Sequence, residues 1–263
     1  MDQRFVRTTC PVSGLSFLAV GAGPVIVLVH GLGWDGARLW AAQAGPLADA
    51  GFRVIVPDLR GTGASPRLAA GATVGDMARD LAVMLAREEA PALVGFSMGA
   101  MVAVLTAALH PARALVLACG GLVATAAGAA GVEAMLARAG ALGPEAFAQE
   151  QAGMIFGAGF AARAPDAVAD FTRWRAAMDQ ESLHHAFRAP FGQDLRGMAR
   201  GLGLPIHLIA AAEDRFLRVA DMAALGQEIG AATMTVIEDS GHMAPVEQPA
   251  AMTAALLSAL GRP

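Results

Sequence analysis

Short aliphatic runs alternate along the chain with longer segments whose apolar positions recur every three or four residues. Residues 25–29 (Val-Ile-Val-Leu-Val) are continuously aliphatic and stop at His30-Gly31, the pattern of a strand covered on both faces. Weaker versions at 52–56, 92–96, 114–118, 205–210 and 233–237 predict further strands. Residues 5–9 and 15–20, flanked by Pro11, Gly14 and Gly21, predict an N-terminal hairpin. Helices are predicted over 38–50, 98–108 and 220–229. A last one starts near Pro249, a residue suited to a first helical turn. Thr73 followed by Asp76 has the form of a reciprocally capped helix start, and Met77, Leu81, Met84 and Leu85 continue it as one apolar stripe. Strands alternating with helices predict an α/β fold, a mostly parallel sheet flanked by helices on both faces. The rhythm changes over 122–200, where the segments are helical and no strand is expected. That stretch predicts a helical cap, inserted between a first core part (1–121) and a second (201–263).

Hydrophobic residues make up 55% of the 263 positions and charged residues 16%. This balance excludes a disordered chain, which needs low hydrophobicity and high charge. It also raises the question of a membrane span. Residues 90–112 and 114–132 carry no Asp, Glu, Lys or Arg. Pro91, Gly95, Gly99 and His110-Pro111 interrupt the first run and Gly120-Gly121 the second, so no span and no membrane partner are expected. The net charge is −4 with no dense Lys/Arg cluster, so nucleic acid is not an expected partner either. The opening Met1-Asp2-Gln3-Arg4-Phe5 has no apolar signal region, and Cys10 and Cys119 form no CxxC spacing. Reduced thiols and a cytoplasmic location are the expectation. The sequence leaves open whether the chain is a monomer or a homo-oligomer.

The chemistry gathers at predicted strand ends. Gly95-Phe96-Ser97-Met98-Gly99 falls where a buried strand meets a helix. A serine in that tight turn, between small neighbours, presents its hydroxyl at the carboxyl end of the sheet. The same turn aims the Met98 amide at a developing negative charge. Serine needs a base. Of the six histidines, His242 lies in a loop between the last strand and the last helix and opens at the same end of the sheet. A base histidine needs an acid. Asp214 follows the 205–210 strand, with Glu213 beside it as the rival, and only one of the two can face the histidine. After the 114–118 strand, Cys119-Gly120-Gly121 offers no carboxylate. The turn His30-Gly31-Leu32-Gly33-Trp34 supplies a second oxyanion donor, the Leu32 amide, while His30 itself reads as a hydrogen-bonded structural residue. His184-His185 is an adjacent pair on a helix facing two directions, so no metal site is expected.

With these residues in order, the chain resembles the α/β-hydrolase family over nearly its whole length. Ser97, Asp214 and His242 follow the family's order of nucleophile, acid and histidine. His30-Gly31-Leu32-Gly33 is similar to its oxyanion turn. Residues 58–65 (Asp-Leu-Arg-Gly-Thr-Gly-Ala-Ser) are similar to its D-x-R-G-x-G-x-S loop, and residues 241–249 to its histidine segment. Ala211, where many relatives have glycine, and the lack of proline shortly after Asp214 are departures. Within the family the chain is most similar to small capped serine esterases, cofactor-free haloperoxidase-type perhydrolases and 3-oxoadipate enol-lactonases. Haloalkane dehalogenases and epoxide hydrolases use an aspartate nucleophile, which Ser97 argues against.

The resemblance implies a serine hydrolase that needs no cofactor and acts on a small-molecule ester or lactone through an acyl-enzyme. The leading expectation is a carboxylic ester of a small to medium, largely hydrophobic substrate. A lactonase of the enol-lactone type and a carbon–carbon bond hydrolase are alternatives within enzymes. A ligand receptor retaining a slow triad is the alternative outside them. Trp34, Phe156, Trp174, Phe187 and Met243 are the expected substrate contacts. Arg163, Arg173, Arg175 and Arg188 in the cap are each expected to be solvated surface side chains, with pairing of one of them to a substrate carboxylate as the alternative.

Overall fold

The computed structural model describes residues 4–261. The N-terminal hairpin consists of β1 (Val6–Thr9) and β2 (Ser16–Val20), paired antiparallel with Val6 opposite Ala19 and Thr9 opposite Ser16. The aliphatic run forms β3 (Val25–Val29), followed by two short helices, α1 (Gly36–Leu39) and α2 (Ala44–Asp49). Next come β4 (Arg53–Pro57), α3 (Val74–Met84), β5 (Ala92–Phe96), α4 (Met98–Leu109) and β6 (Ala114–Ala118). An insert follows: β7 (Val123–Ala124), α5 (Ala126–Leu142), α6 (Pro144–Ile155), α7 (Ala158–Arg163), α8 (Pro165–Ala176), α9 (Gln180–Arg188), β8 (Gln193–Asp194) and α10 (Arg196–Gly201). The chain then returns to the sheet with β9 (Ile206–Ala211), α11 (Val219–Ile229), β10 (Thr233–Ile237), α12 (Ala244–Glu247) and α13 (Pro249–Leu260).

Eight strands form one sheet in the order β1-β2-β4-β3-β5-β6-β9-β10. Only the β1–β2 and β2–β4 pairings are antiparallel; from β4 to β10 every neighbour is parallel. Period-two alternation sends successive strand residues to opposite faces. Ile26, Leu28, Val94 and Val116 therefore join a core with Trp40, Leu47 and Leu256 on one side. Val27, Val29, Leu93 and Leu115 join a second core with Leu81, Val102 and Met222 on the other. The continuous aliphatic runs follow from this double coverage: every residue of β5 and β6 is buried. The strand order reverses around β3, which lies between β4 and β5. A crevice at the carboxyl ends of the strands opens at such a reversal.

Two local expectations are corrected. The helix expected over 38–50 is two helices, because Pro46 has no amide hydrogen and fits only near a helix start; α2 begins two residues before it. The 122–200 stretch is not strand-free. Val123–Ala124 pairs antiparallel with Gln193–Asp194, and two-residue strands are too short to leave an alternation in the sequence. The single turn α12 before α13 was not expected at all. No described helix is long and apolar enough to cross a membrane, and Cys10 and Cys119 are free and buried.

The Thr73–Asp76 capping box is complete: the Asp76 amide donates to Thr73 Oγ1 at 3.2 Å and the Thr73 amide to Asp76 Oδ2 at 2.8 Å. Thr73→Ala removes one side of that exchange and is expected to destabilise the fold by about 1 kcal/mol, read from urea denaturation midpoints at constant slope.

Candidate active site

Ser97 joins β5 to α4 with φ 54° and ψ −123°, a region that a residue bearing a Cβ occupies only when its surroundings over-determine it. Close packing does so here. A methyl group at Gly99 would lie 2.6 Å from the His30 carbonyl oxygen, so the first turn of α4 passes directly against the end of β3. The Ser97 amide is held by the Ala118 carbonyl at 2.9 Å, which ties the turn to β6. The hydroxyl is left half-buried at the carboxyl edge of the sheet.

His242, from the loop between β10 and α12, and Asp214, from the loop after β9, converge on it. His242 Nδ1 lies 2.8 Å from Asp214 Oδ2, and Nε2 lies 3.0 Å from Ser97 Oγ. A carboxylate only accepts, so Nδ1 carries the ring proton and Nε2 is free to accept from the serine hydroxyl. Asp214 is buried, and its other oxygen accepts from the amides of Phe216 (2.8 Å) and Leu217 (3.1 Å). Glu213, the sequence rival, is exposed, and its carboxylate lies beside Gly157 of the insert. The imidazole is flanked by the rings of Phe96 and Phe216, each with its centroid 5.2 Å away. A hydroxyl so placed can pass its proton to the imidazole as the oxygen attacks an electrophile, with the imidazolium held by Asp214.

The turn after β3 runs beside the serine. A methyl at Gly31 would lie 2.9 Å from Ser97 Cβ, and Leu32 lines the same cavity as Ser97. Met98 is the first residue of α4, so its amide has no partner within the helix. His30 is structural: Nδ1–H donates to the Gly31 carbonyl and Nε2 accepts from the Leu59 amide, both at 2.8 Å. Burial lowers its proton affinity and keeps it neutral. Asp58 accepts from the amides of Gly36 and Ala64, each at 3.1 Å, and clamps the turn after β3 to the loop after β4.

Glu247 has a comparable role beside His242. Its carboxylate accepts from the amides of Gly241 (3.0 Å) and Met243 (3.1 Å) around the histidine and of Gly157 (3.1 Å) in the insert. Burial raises its proton affinity, and the three amide hydrogen bonds oppose that. Burial also pushes the Cys119 thiol well up, with the charges of Asp214 and Glu247 adding to the effect, so this cysteine has no thiolate with which to compete as a nucleophile.

A cavity of about 220 Å³ lies between the sheet and the insert, below the ~300–1,000 Å³ typical of sites for drug-sized ligands. Ser97, Gln151, Arg175 and His242 are the only polar side chains among the residues that line it. Of the five expected substrate contacts, Trp34, Phe187 and Met243 line this cavity, and Phe156 and Trp174 do not. Phe156 stacks on Phe160 at 5.3 Å and meets Phe171 edge-on at 5.4 Å, as core of the insert. Trp174 packs against Trp34 at 5.3 Å, beneath the Arg38 guanidinium. On α8 it is the neighbouring Arg175, with Phe171 four residues before it, that faces Ser97. Gln151, Met135, Phe216 and Leu217 are lining residues that the sequence reading missed. Phe216 and Leu217 had a signal, since they lie two and three residues after Asp214, whose second oxygen their amides bind. Gln151 and Met135 had none, because nothing in the sequence says which face of an insert helix looks down.

Residues 26–256 match the α/β hydrolase family. The chain is 31% identical over 250 residues to RutD of Variovorax paradoxus, named as a carbamate hydrolase, covering 91% of this chain and 92% of the relative. A malate-bound esterase from Thermogutta terrifontis superposes with a TM-score of 0.85 at 28% identity, over 97% of each chain. The enol-lactonase from Burkholderia xenovorans superposes at 0.83 and 23% identity, over 97% of this chain and 99% of that one, a likeness of fold. The chain belongs to the α/β hydrolase family, whose fold is the mostly parallel, helix-flanked sheet described above.

Glu247→Ala would leave three buried amides without an acceptor. It is expected to lower unfolding free energy by about 3 kcal/mol or more, at ~1–3 kcal/mol for each buried group left unpaired, measured by chemical denaturation.

Proposed function

We propose that the chain is a serine hydrolase that cleaves carboxylic esters of small, largely apolar substrates through an acyl-enzyme. The observation that carries this reading is the unbroken chain of hydrogen bonds from Ser97 through His242 to Asp214. Ser97 Oγ bonds to the ester carbonyl carbon while its proton passes to His242 Nε2. The carbonyl electron pair moves onto oxygen, toward the Leu32 and Met98 amides. Collapse expels the alcohol oxygen, which takes the proton from His242. Water then repeats the sequence on the acyl-enzyme and frees the acid and Ser97. The oxyanion donors matter most when charge develops, and losing one costs about 3–4 kcal/mol in comparable sites. The cavity size and its largely apolar lining support a small acyl group. A lactone is an internal ester and is opened by the same steps.

The RutD relatives favour a second reading, in which the same oxygen attacks the carbonyl carbon of a carbamate and an amine leaves in place of an alcohol. Rates on 4-nitrophenyl butyrate, on an unsubstituted lactone followed by acid release, and on an alkyl carbamate followed by release of ammonia or amine rank the three substrate classes.

A fluorophosphonate is expected to label Ser97 and no other serine, as read by peptide mass spectrometry. Ser97→Ala should abolish the labelling and lower turnover of 4-nitrophenyl butyrate by about 10⁴–10⁶-fold with an unchanged unfolding midpoint. Asp214→Asn should cost about 10⁴-fold in kcat by leaving the imidazole in the wrong tautomer. Equal turnover by wild type and Ser97→Ala refutes the assignment. A single burst of product with a retained acyl group, in place of a steady rate, identifies a receptor with a slow triad.

A further inference from the structure

Four arginines of the insert face different fates. The Arg173 guanidinium pairs with Asp170 on the surface, and Arg188 pairs with Glu133 at 2.6 Å. The exposed Arg163 reaches the Glu247 carbonyl at 3.2 Å and lies over the Phe160 ring. Arg175 alone is buried, at 4% exposure, and it lines the cavity that holds Ser97 and His242. Its partners are neutral. Nε donates to Gln151 Oε1 at 3.1 Å, Nη1 donates to the Gly33 carbonyl, and the Phe187 ring lies 5.6 Å from the guanidinium carbon. Among the described residues no carboxylate lies within ion-pair distance of it. Burial lowers its pKa to about 9 with no acid to offset the loss of water, so at neutral pH the side chain is still a cation.

An unpaired cation in an apolar cavity is an unfavourable arrangement that a leucine or methionine would remove. The fold is nonetheless built around it. Gly33, at φ +65°, sits so close that a Cβ there would lie 1.2 Å from Arg175 Nη1. The bare backbone of the turn bearing Leu32 thus forms one wall of the guanidinium's seat, and Gln151 is turned to accept from it. With no acid supplied by the chain, the missing counter-ion is one that arrives with the substrate, and a planar fork of N–H donors suits a carboxylate.

From this we infer that Arg175 is a specificity-determining residue that binds a carboxylate carried by the substrate, so that the preferred substrates are esters or lactones bearing a carboxylate a few carbons from the reacting carbonyl. The inference rests on Ser97 hydrolysis as proposed above and names its substrate class. The carboxylate takes no part in bond breaking: it replaces the missing partner of Arg175 and orients the carbonyl toward Ser97.

The test compares 4-nitrophenyl half-esters of succinate, glutarate and adipate with their neutral isosteres, the 4-methylpentanoate, 5-methylhexanoate and 6-methylheptanoate esters. The readout is the anionic-to-neutral ratio of kcat/KM, in which any general damage cancels. Wild type is expected to favour at least one half-ester over its isostere. Arg175→Gln should lower that ratio by about 10²-fold, the scale for truncating a buried charged partner, and Arg175→Lys should restore part of it. A wild-type preference for every neutral isostere, or a ratio that Arg175→Gln leaves unchanged, overturns the inference and reduces Arg175 to a brace for the Gly33 turn. Calorimetric binding to wild type separates this from the parent reading and needs no variant to fold. The unreactive 5-oxohexanoate should bind at least tenfold more tightly than its neutral isostere 6-methylheptan-2-one. Equal binding refutes the carboxylate site even if esters are turned over. Tighter binding of the anion upholds it even if no ester is.

Discussion

The structure depends on one backbone constraint, a serine held at positive φ between a fully buried strand and a helix packed against the neighbouring strand. An L-residue rarely adopts that conformation, and the surrounding contacts leave this one no alternative. The parallel sheet supplies them: β3 on one side, β6 on the other, and the start of α4 pressed onto the end of β3. The turn carries the side chain out of the sheet instead of into a core, and frees the first amide of the helix. The loops after β9 and β10 need only reach the same edge for Asp214 and His242 to meet the hydroxyl.

Both cores serve that constraint. Aliphatic residues on alternate sides of β3, β5 and β6 bury the sheet on two faces. The carboxyl edge is then the place where polar side chains can gather without being sealed from substrate. Several carboxylates there are structural and not reactive. Asp58 fastens two loops through backbone amides, and Glu247 fastens the histidine loop.

Much of this was legible in the sequence, for identifiable reasons. Strands covered on both faces read as unbroken aliphatic runs, and β3, β5 and β6 stand where those runs lie. Ser97, His242 and Asp214 each follow a predicted strand, so topology alone placed them at one edge. Adjacent residues leaving a strand diverge, so only one of Asp214 and Glu213 could face the histidine, and the burial of Asp214 beside an exposed Glu213 shows which. What could not be read was orientation within the insert. Apolar residues lie on several faces of α8 and around the end of α6, so Phe156, just past α6, and Trp174 read as no less eligible for the cavity than Trp34 or Phe187, and only packing shows that both belong elsewhere. Arg175 was one of four comparable arginines until burial separated it from the other three.

The Glu247 carboxylate also bears on modularity. It grips the insert through Gly157 and the histidine loop through Gly241 and Met243 with the same pair of oxygens. A methyl group at Gly241 would lie 2.4 Å from the Gly157 nitrogen, so the two backbones are pressed together as well as bonded. The insert is therefore not an exchangeable cover. A chimaera that transplants it without a side-chain-free residue at 157 would displace the loop that aims the imidazole, so diversification of the roof is tied to the floor beneath it.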